Sequence, residues 1–157
     1  MDIKSGNSYP SCALSNFAPH PFEMDGVLCN SMEGFLQSLK FDKQHIQVEV
    51  CKLVGSKAKA RGREKDWRKT QTLYWDGQEY KRDSEEYRKL LNRAYSLLFA
   101  QNEKFRNALM ATNNAVLTHS IGKSNMKETI LTEHEFCSRL MKLRENYKKR
   151  KGGGKGK

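Results

Sequence analysis

The strongest constraint on the fold is a helical periodicity of apolar residues in the second half of the chain. After Ser84, apolar side chains recur every three or four residues, at Tyr87, Leu90, Leu91, Ala94, Tyr95, Leu98 and Phe99. This spacing places them on one face of an α-helix, so the stretch predicts a long amphipathic helix with Ser84 as its N-cap. Residues 102–112 repeat the pattern and predict a second helix against the same core.

Two Asp-Gly dipeptides predict β-hairpins. Asp25-Gly26 separates two short apolar runs, residues 22–24 and 27–29, and Asp76-Gly77 separates residues 72–75 from 78–80. Asp-Gly favours the tight turn whose twist matches that of paired strands. Each dipeptide therefore indicates a two-stranded antiparallel unit.

The remaining apolar patterns predict further helices. A helix is expected at 30–42, capped by Asn30 or Ser31, with Glu33 at the capping-box distance from Asn30. Others are expected at 45–54, ended by Gly55, at 56–63, and after Thr132, with a possible short strand at 115–117. The sequence thus predicts the α+β class: a mainly helical single domain with two small β-hairpins.

The basic charge is concentrated at the carboxyl end. The 157 residues carry a formal charge of +11, and six of the positive charges lie in residues 148–157, which leaves +5 for residues 1–147. The expected organisation is a flexible lead at 1–9, a domain at 10–147 and a disordered basic Gly/Lys tail at 148–157. The tail is either a clamp for nucleic acid or a solvated end.

The sequence lacks the motifs of several common catalytic and binding sites. It has no GxGxxG or GxSxG motif, no phosphate-binding Walker loop and no HExxH, and its four histidines share no metal-ligand spacing. No metal and no cofactor are expected. The four scattered cysteines favour buried free thiols. Without a long apolar run or signal-peptide pattern, the protein is expected to be cytoplasmic with no membrane association.

One polar stripe on the first predicted helix is a candidate site. Glu33, Gln37 and Lys40 are spaced i, i+4 and i+7, away from the apolar face. A carboxylate beside an amine can serve acid–base or covalent catalysis if burial adjusts their pKa values. The alternative is an ordinary solvated polar face.

The amino-acid sequence around this stripe resembles that of a known family. The similar segments are LSNF at 14–17, PHPF at 19–22, DG at 25–26, SMEGFLQSLKF at 31–41, AKARGR at 58–63, Trp67, residues 97–112 and LMKLR at 140–144. In this order they resemble the NADAR (YbiA-like) superfamily, over residues 10–144. The family's WGxG element is missing, since residues 119–125 read HSIGKSN.

The resemblance implies cleavage of a ribose N-glycosidic bond, in ADP-ribosylated guanine or in a phosphoribosyl intermediate. It implies Glu33 as the acid/base or electrostatic stabiliser, and Lys40 as a nucleophile forming a Schiff base or as a phosphate contact. Substrate binding is assigned to Asn16, Lys59, Arg61, Arg63, His119 and Lys123. Each of these polar residues has a structural alternative, as a turn cap, a loop histidine or a basic surface. The altered loop leaves a non-catalytic binder of ADP-ribose, nucleotide or nucleic acid as the alternative function.

Overall fold

The computed structural model describes the backbone of residues 1–155 and the side chains of residues 1–152. In that part of the chain, seven helices and two small antiparallel sheets form one α+β domain, as the sequence predicted. The elements are α1 (Ser11–Leu14), β1 (Phe22–Met24), β2 (Val27–Cys29), α2 (Met32–Ser38), α3 (Gln44–Cys51), α4 (Gly55–Gly62), β3 (Thr72–Trp75), β4 (Gln78–Lys81), α5 (Glu85–Gln101), α6 (Glu103–Met110) and α7 (Glu133–Lys155).

Both Asp-Gly hairpins are confirmed. Strand β1 pairs with β2 and β3 pairs with β4, each antiparallel. In both turns the Asp has φ 51, and the Gly that follows has φ 80 in the first turn and 81 in the second. Two consecutive left-handed residues make the turn that Asp-Gly favours.

Helix α2 begins one residue later than a capping box at Asn30 would place it. The hydroxyl of Ser31 accepts a 3.0 Å hydrogen bond from the amide of Gly34, so Ser31 is the N-cap. Asn30 donates instead to the carbonyl of Lys52 at 3.0 Å. Of the two predicted N-caps, Ser31 is therefore the one that forms, and Glu33 is not part of a capping box with Asn30. The helix ends at Ser38, which places Lys40 just beyond its last turn.

Helices α3 and α4 pack tightly against α2. A Cβ on Gly34 would lie 2.6 Å from the carbonyl oxygen of Leu53, so only glycine permits this approach of α2 to the end of α3. Gly55, with φ +59, opens α4 rather than ending α3. These close contacts bury one whole side of α2, including its polar residues.

The second half of the chain closes the core. Ser84 caps α5, and Thr132 with Glu135 forms a reciprocal capping box at the start of α7, both as predicted. The buried guanidinium of Arg82 binds both carboxylate oxygens of Glu135, at 2.6 and 3.1 Å. Its Nε donates to the carbonyl of Thr129 at 2.9 Å. Through these hydrogen bonds, Arg82 at the end of β4 connects to α7 and to the segment that precedes α7.

The two ends of the chain differ from expectation. Residues 1–9 are not a free lead, because Ile3 is fully buried and its amide donates to the carbonyl of Thr118 at 2.8 Å. A single parallel bridge, Asp2 to Thr118, replaces the short strand expected at 115–117. At the other end, the tail expected to be disordered from Lys148 continues helix α7, and Lys148 Nζ donates to Asn113 and Asn114 at 2.6 Å. Residues 156–157 lie outside the described residues.

Cys29, Cys51 and Cys137 are buried and free, as expected, and Cys12 is half-buried. In residues 1–155, none of the helices combines the length and apolarity needed to cross a bilayer.

Candidate active site

A cleft of about 550 Å³ lies over the polar side of α2. Three parts of the chain form its walls: the turn after α1, the region from α4 to residue 68, and residues 119–132 with the start of α7. Seven of the eight site residues predicted from the sequence line it: Asn16, Glu33, Lys40, Lys59, Arg63, His119 and Lys123. The cleft therefore brings together groups that lie up to 107 positions apart in the chain.

Glu33 is the buried acid of this cleft. Its side chain is on the first turn of α2, and the residue is 9% exposed. Burial raises the pKa of the Glu33 carboxyl, and this effect outweighs a hydrogen bond from Gln37 and the positive charges of Lys59, Lys40 and His119, which all lower it. A carboxyl in this state is suited to hold a proton and to deliver it.

Lys40 lies beside Glu33 and shifts in the opposite direction. Burial lowers the pKa of the half-buried Lys40 amine, and the neighbouring cations Arg68, Arg63 and Lys59 lower it further. The negative charge of Glu33 acts against this change. Both groups are thus displaced toward their neutral forms, a carboxylic acid and a free amine, which is the pairing needed for nucleophilic attack with acid assistance.

Gln37 fixes the Glu33 carboxyl from the next turn of α2. Its Nε2 donates to Glu33 Oε2 at 2.6 Å, while its buried Oε1 has no partner among the described residues. A Cβ on Gly62 would lie 1.8 Å from that Oε1, so α4 approaches α2 closely enough to confine the amide. Because an amide can turn over, Gln37 can donate to the carboxylate or accept from the acid.

Two hydrogen bonds fix the position of Asn16, one at its side chain and one at its backbone. The hydroxyl of the buried Tyr95 donates to Asn16 Oδ1 at 2.7 Å, and the Asn16 carbonyl accepts from the amide of Glu33 at 3.0 Å. With Oδ1 occupied, Nδ2 is the donor that remains for a bound hydroxyl group. Tyr95 was not expected in this role, because its place in the apolar stripe of α5 gave no indication of its hydroxyl contact.

Arg61 is the one predicted binding residue that the structure does not bring to the cleft. Its guanidinium lies 4.7 Å from the centre of the Phe41 ring and pairs with Glu64 at 3.2 Å. Lys59 and Arg63, which are four residues apart, reach the cleft together with Arg68. Arg68 was missed by sequence reasoning because it follows the helix in an irregular segment.

Trp67 and Trp75 are 6% and 1% exposed, so both belong to the core, although Trp67 also lines the cleft. His119 reaches the cleft from the loop after α6, with its Nδ1 2.8 Å from the carbonyl oxygen of Ile3. Among the described residues, no three His, Cys, Asp or Glu side chains are grouped as a metal site would require.

Comparison with known proteins shows which family this chain belongs to. The model of the family described as bacteriophage protein GP30.3 matches residues 8–145. An uncharacterized 17.1 kDa protein of the Gp30–rIII intergenic region of Enterobacteria phage T4 is 41% identical over 150 residues, which cover 93% of this chain and 97% of that protein. The chain belongs to the bacteriophage GP30.3 family.

The fold of this GP30.3 family member is that of YbiA. The NMR structure of the E. coli protein YbiA matches with a TM-score of 0.63 and 20% sequence identity, over 96% of this chain and 86% of YbiA. The YbiA-like fold predicted from the ordered motifs is therefore confirmed.

Within this GP30.3 family fold, the polar side of α2 supplies the reactive groups and the basic rim supplies charge. Lys59, Arg63, Arg68 and Lys123 line a cleft that contains a buried carboxyl with a raised pKa and an amine with a lowered pKa. Such an arrangement can bind an anionic ligand at its rim while a less polar reacting centre lies against α2.

Proposed function

We propose that this protein is an N-glycosidase that cleaves the ribose N-glycosidic bond of ADP-ribosylated guanine or of a phosphoribosyl compound. The observation that supports this most directly is the burial of Glu33 and Lys40 in one cleft, with opposite pKa displacements toward neutral acid and neutral amine. The resemblance of the motifs around both residues to the NADAR superfamily supplies the reaction class.

The bond to be broken joins an anomeric carbon to a base nitrogen. The Lys40 amine forms a new C–N bond to the anomeric carbon, and the glycosidic electron pair leaves with the base. The base nitrogen takes the proton of Glu33, so the acid becomes a carboxylate as the sugar gains positive charge. Opening of the sugar ring then gives a Schiff base with Lys40, which water hydrolyses to release the ribose.

The other cleft residues bind the substrate in this scheme. Asn16 Nδ2 donates to a ribose hydroxyl, since its orientation is set by Tyr95. Lys59, Arg63 and Lys123 attract the phosphates at the cleft rim. Arg61 is not given a role, because its guanidinium is engaged by Phe41 and Glu64.

The test is direct turnover. The protein is incubated with DNA carrying ADP-ribosylated guanine and, separately, with a phosphoribosylamino-pyrimidine, and release of base or sugar is followed by mass spectrometry. Glu33→Gln and Lys40→Ala are expected to lose activity by at least about a hundredfold, as removal of a general acid or nucleophile does. The controls Glu49→Gln and Lys57→Ala change exposed residues that do not line the cleft and keep wild-type rates. Absence of turnover on both substrates by folded wild-type protein rejects the enzyme.

Borohydride separates the two roles given to Lys40. If the amine forms a Schiff base, reduction during turnover leaves a sugar adduct on the tryptic peptide that contains residue 40. Turnover without an adduct assigns Lys40 to phosphate binding instead.

The loop at 119–125 favours a second candidate, a non-catalytic binder of ADP-ribose, nucleotide or nucleic acid. This loop contributes His119, Ile121, Gly122 and Lys123 to the cleft and lacks the family's WGxG element. Calorimetric binding of ADP-ribose at the cleft without turnover of either substrate identifies this function. Loss of that binding in Arg63→Ala then locates the ligand.

A further inference from the structure

The first three residues pair with the loop that carries His119. The amide of Ile3 donates to the carbonyl of Thr118 at 2.8 Å, and the amide of Thr118 donates to the carbonyl of Met1 at 2.9 Å. The Asp2 carboxylate accepts from the amide and the hydroxyl of Ser120, at 2.7 and 2.6 Å. Residues on both sides of His119 are thus bound to the same short segment.

The imidazole of His119 is held on three sides. Its Nδ1 lies 2.8 Å from the carbonyl oxygen of Ile3, and its ring packs edge-on to Phe136 with centroids 5.3 Å apart. A Cβ on Gly122 would lie 2.6 Å from His119 Cδ2, so the turn after His119 closes against the ring. The edge that carries Nε2 is the one to which the structure assigns no protein partner among the described residues.

These contacts determine the tautomer. A carbonyl oxygen only accepts hydrogen bonds, so Nδ1 of His119 must carry the proton in the Ile3 contact. In the neutral ring, Nε2 then has the free electron pair. His119 lines the cleft, and its positive charge, when protonated, lowers the pKa of Glu33, so it lies within electrostatic reach of the acid.

We propose that Asp2 and Ile3 are positioning residues that fix His119 as its Nδ1–H tautomer and present Nε2 as a proton acceptor in the cleft. This inference rests on the proposed glycosidase for the reaction, although the tautomer is independent of it. In the hydrolysis of the Schiff base, Nε2 takes a proton from water while the water oxygen bonds to the imine carbon. The π electron pair moves to the Lys40 nitrogen, which loses its positive charge as His119 becomes positively charged.

The Asp2 carboxylate suits this role because it accepts hydrogen bonds from both the amide and the hydroxyl of Ser120. The hydrogen bonds from Ser120 lower the pKa of Asp2 from 3.8 to about 2, so the carboxylate stays ionised at any ordinary working pH. A nearby cation contributes less, since Lys4 Nζ lies 3.6 Å from Asp2 Oδ2. Lys4 therefore offers a control that changes a partner of Asp2 without touching the loop.

The tautomer is measured by long-range ¹H–¹⁵N NMR on protein labelled at histidine nitrogen, with the His119 signals assigned by their loss in His119→Gln. The wild type is expected to show protonated Nδ1 and unprotonated Nε2 at a pH where the ring is neutral. A wild-type ring protonated at Nε2 overturns the proposal, with no variant needed.

Asp2→Ala, with its fold checked by circular dichroism, is expected to shift His119 to a mixture of tautomers. Asp2→Asn retains an acceptor for Ser120 and keeps most of the wild-type pattern, and Lys4→Ala leaves it unchanged. An unaltered His119 spectrum in folded Asp2→Ala overturns the positioning role of Asp2.

The reaction step has its own readout. His119→Gln is expected to slow turnover about 10²- to 10⁴-fold, the usual contribution of a general base, and to increase the borohydride-trapped adduct on Lys40. A slower variant with less adduct than wild type overturns the role of His119 in hydrolysis. If the wild type itself turns over neither substrate, the proposed function fails while the NMR result still decides the tautomer.

Discussion

Nε2 of Gln37 donates a 2.6 Å hydrogen bond to Oε2 of Glu33, one helical turn away and almost completely out of contact with solvent. The bond joins a neutral amide to a group whose charge is unfavourable where it lies. Gln37 therefore influences the protonation of Glu33 more directly than any other side chain on α2.

Replacing Gln37 by Met is expected to raise the pKa of Glu33 further. In the wild type, the hydrogen bond from Gln37 stabilises the ionised carboxylate and so lowers this pKa, and methionine cannot donate that bond. A hydrogen bond donated to a carboxylate stabilises its ionised form, so its loss moves the titration midpoint of Glu33 upward. The midpoint is read from carboxyl ¹³C NMR of labelled Glu33. Gln44→Met, on the exposed side of α3, is the control. A midpoint that stays in place or falls contradicts the assignment.

Glu33→Gln is expected to alter the pH dependence of stability. Because the folded-state pKa of Glu33 is raised, its contribution to stability is present below its ordinary value of 4.5 and is lost as pH rises through the folded-state pKa. The wild type should therefore lose unfolding free energy relative to Glu33→Gln over that range, by up to about 1.4 kcal/mol per pH unit. Urea titrations from pH 4 to pH 8 measure this difference. Parallel curves for the two proteins would show that Glu33 titrates normally.

Tyr95→Phe is expected to weaken substrate binding without touching the cleft surface of α2. The substitution removes the donor that orients Asn16, so the Asn16 amide is free to turn and KM rises more than kcat falls. Unfolding free energy should decrease by about 1 kcal/mol, the usual net contribution of one hydrogen bond. The control is Tyr80→Phe on β4, which does not line the cleft. Unchanged KM in a folded Tyr95→Phe protein argues against a binding role for Asn16.

Gly62→Ala is expected to reduce activity by displacing Gln37. The new Cβ would lie 1.8 Å from Gln37 Oε1 and 2.6 Å from its Cδ, so the amide must leave its present position and the bond to Glu33 is lost. Overpacking of this kind costs about 1–3 kcal/mol. Gly6→Ala is the matched control, since a Cβ there meets nothing within 4 Å. The measurements are thermal unfolding and turnover, and wild-type values for both would mean that α4 moves away freely.

The fold was largely accessible from local sequence. Asp-Gly turns, the apolar stripe after Ser84 and the capping box at Thr132 act through neighbouring residues, and all three form as predicted. The choice between Asn30 and Ser31 stayed open because two good N-cap residues are adjacent, and local pattern does not decide between them. Tertiary packing decides, since the Ser31 hydroxyl also donates to the carbonyl of Leu53 at 3.0 Å.

The sequence predicted most of the residues that line the cleft, but not how they are arranged. Helical spacing alone separates Arg61 from Lys59 and Arg63, because residues four apart share a face and a residue two positions away does not. The burial of Glu33 was not predictable from local sequence, because the residues that surround it in the cleft come from distant parts of the chain. Nor does any local pattern indicate that Ile3 meets His119 across 116 positions.

The bridge between Asp2 and Thr118 also has a consequence for the order of assembly. Contacts between distant parts of a chain form only after a large loss of chain entropy, so they come late in folding and contribute to slow rates. During synthesis, Thr118 is added 116 residues after its partner Asp2. The helices around Glu33 can be packed by then, so the contact that fixes His119 at the cleft is among the last to form.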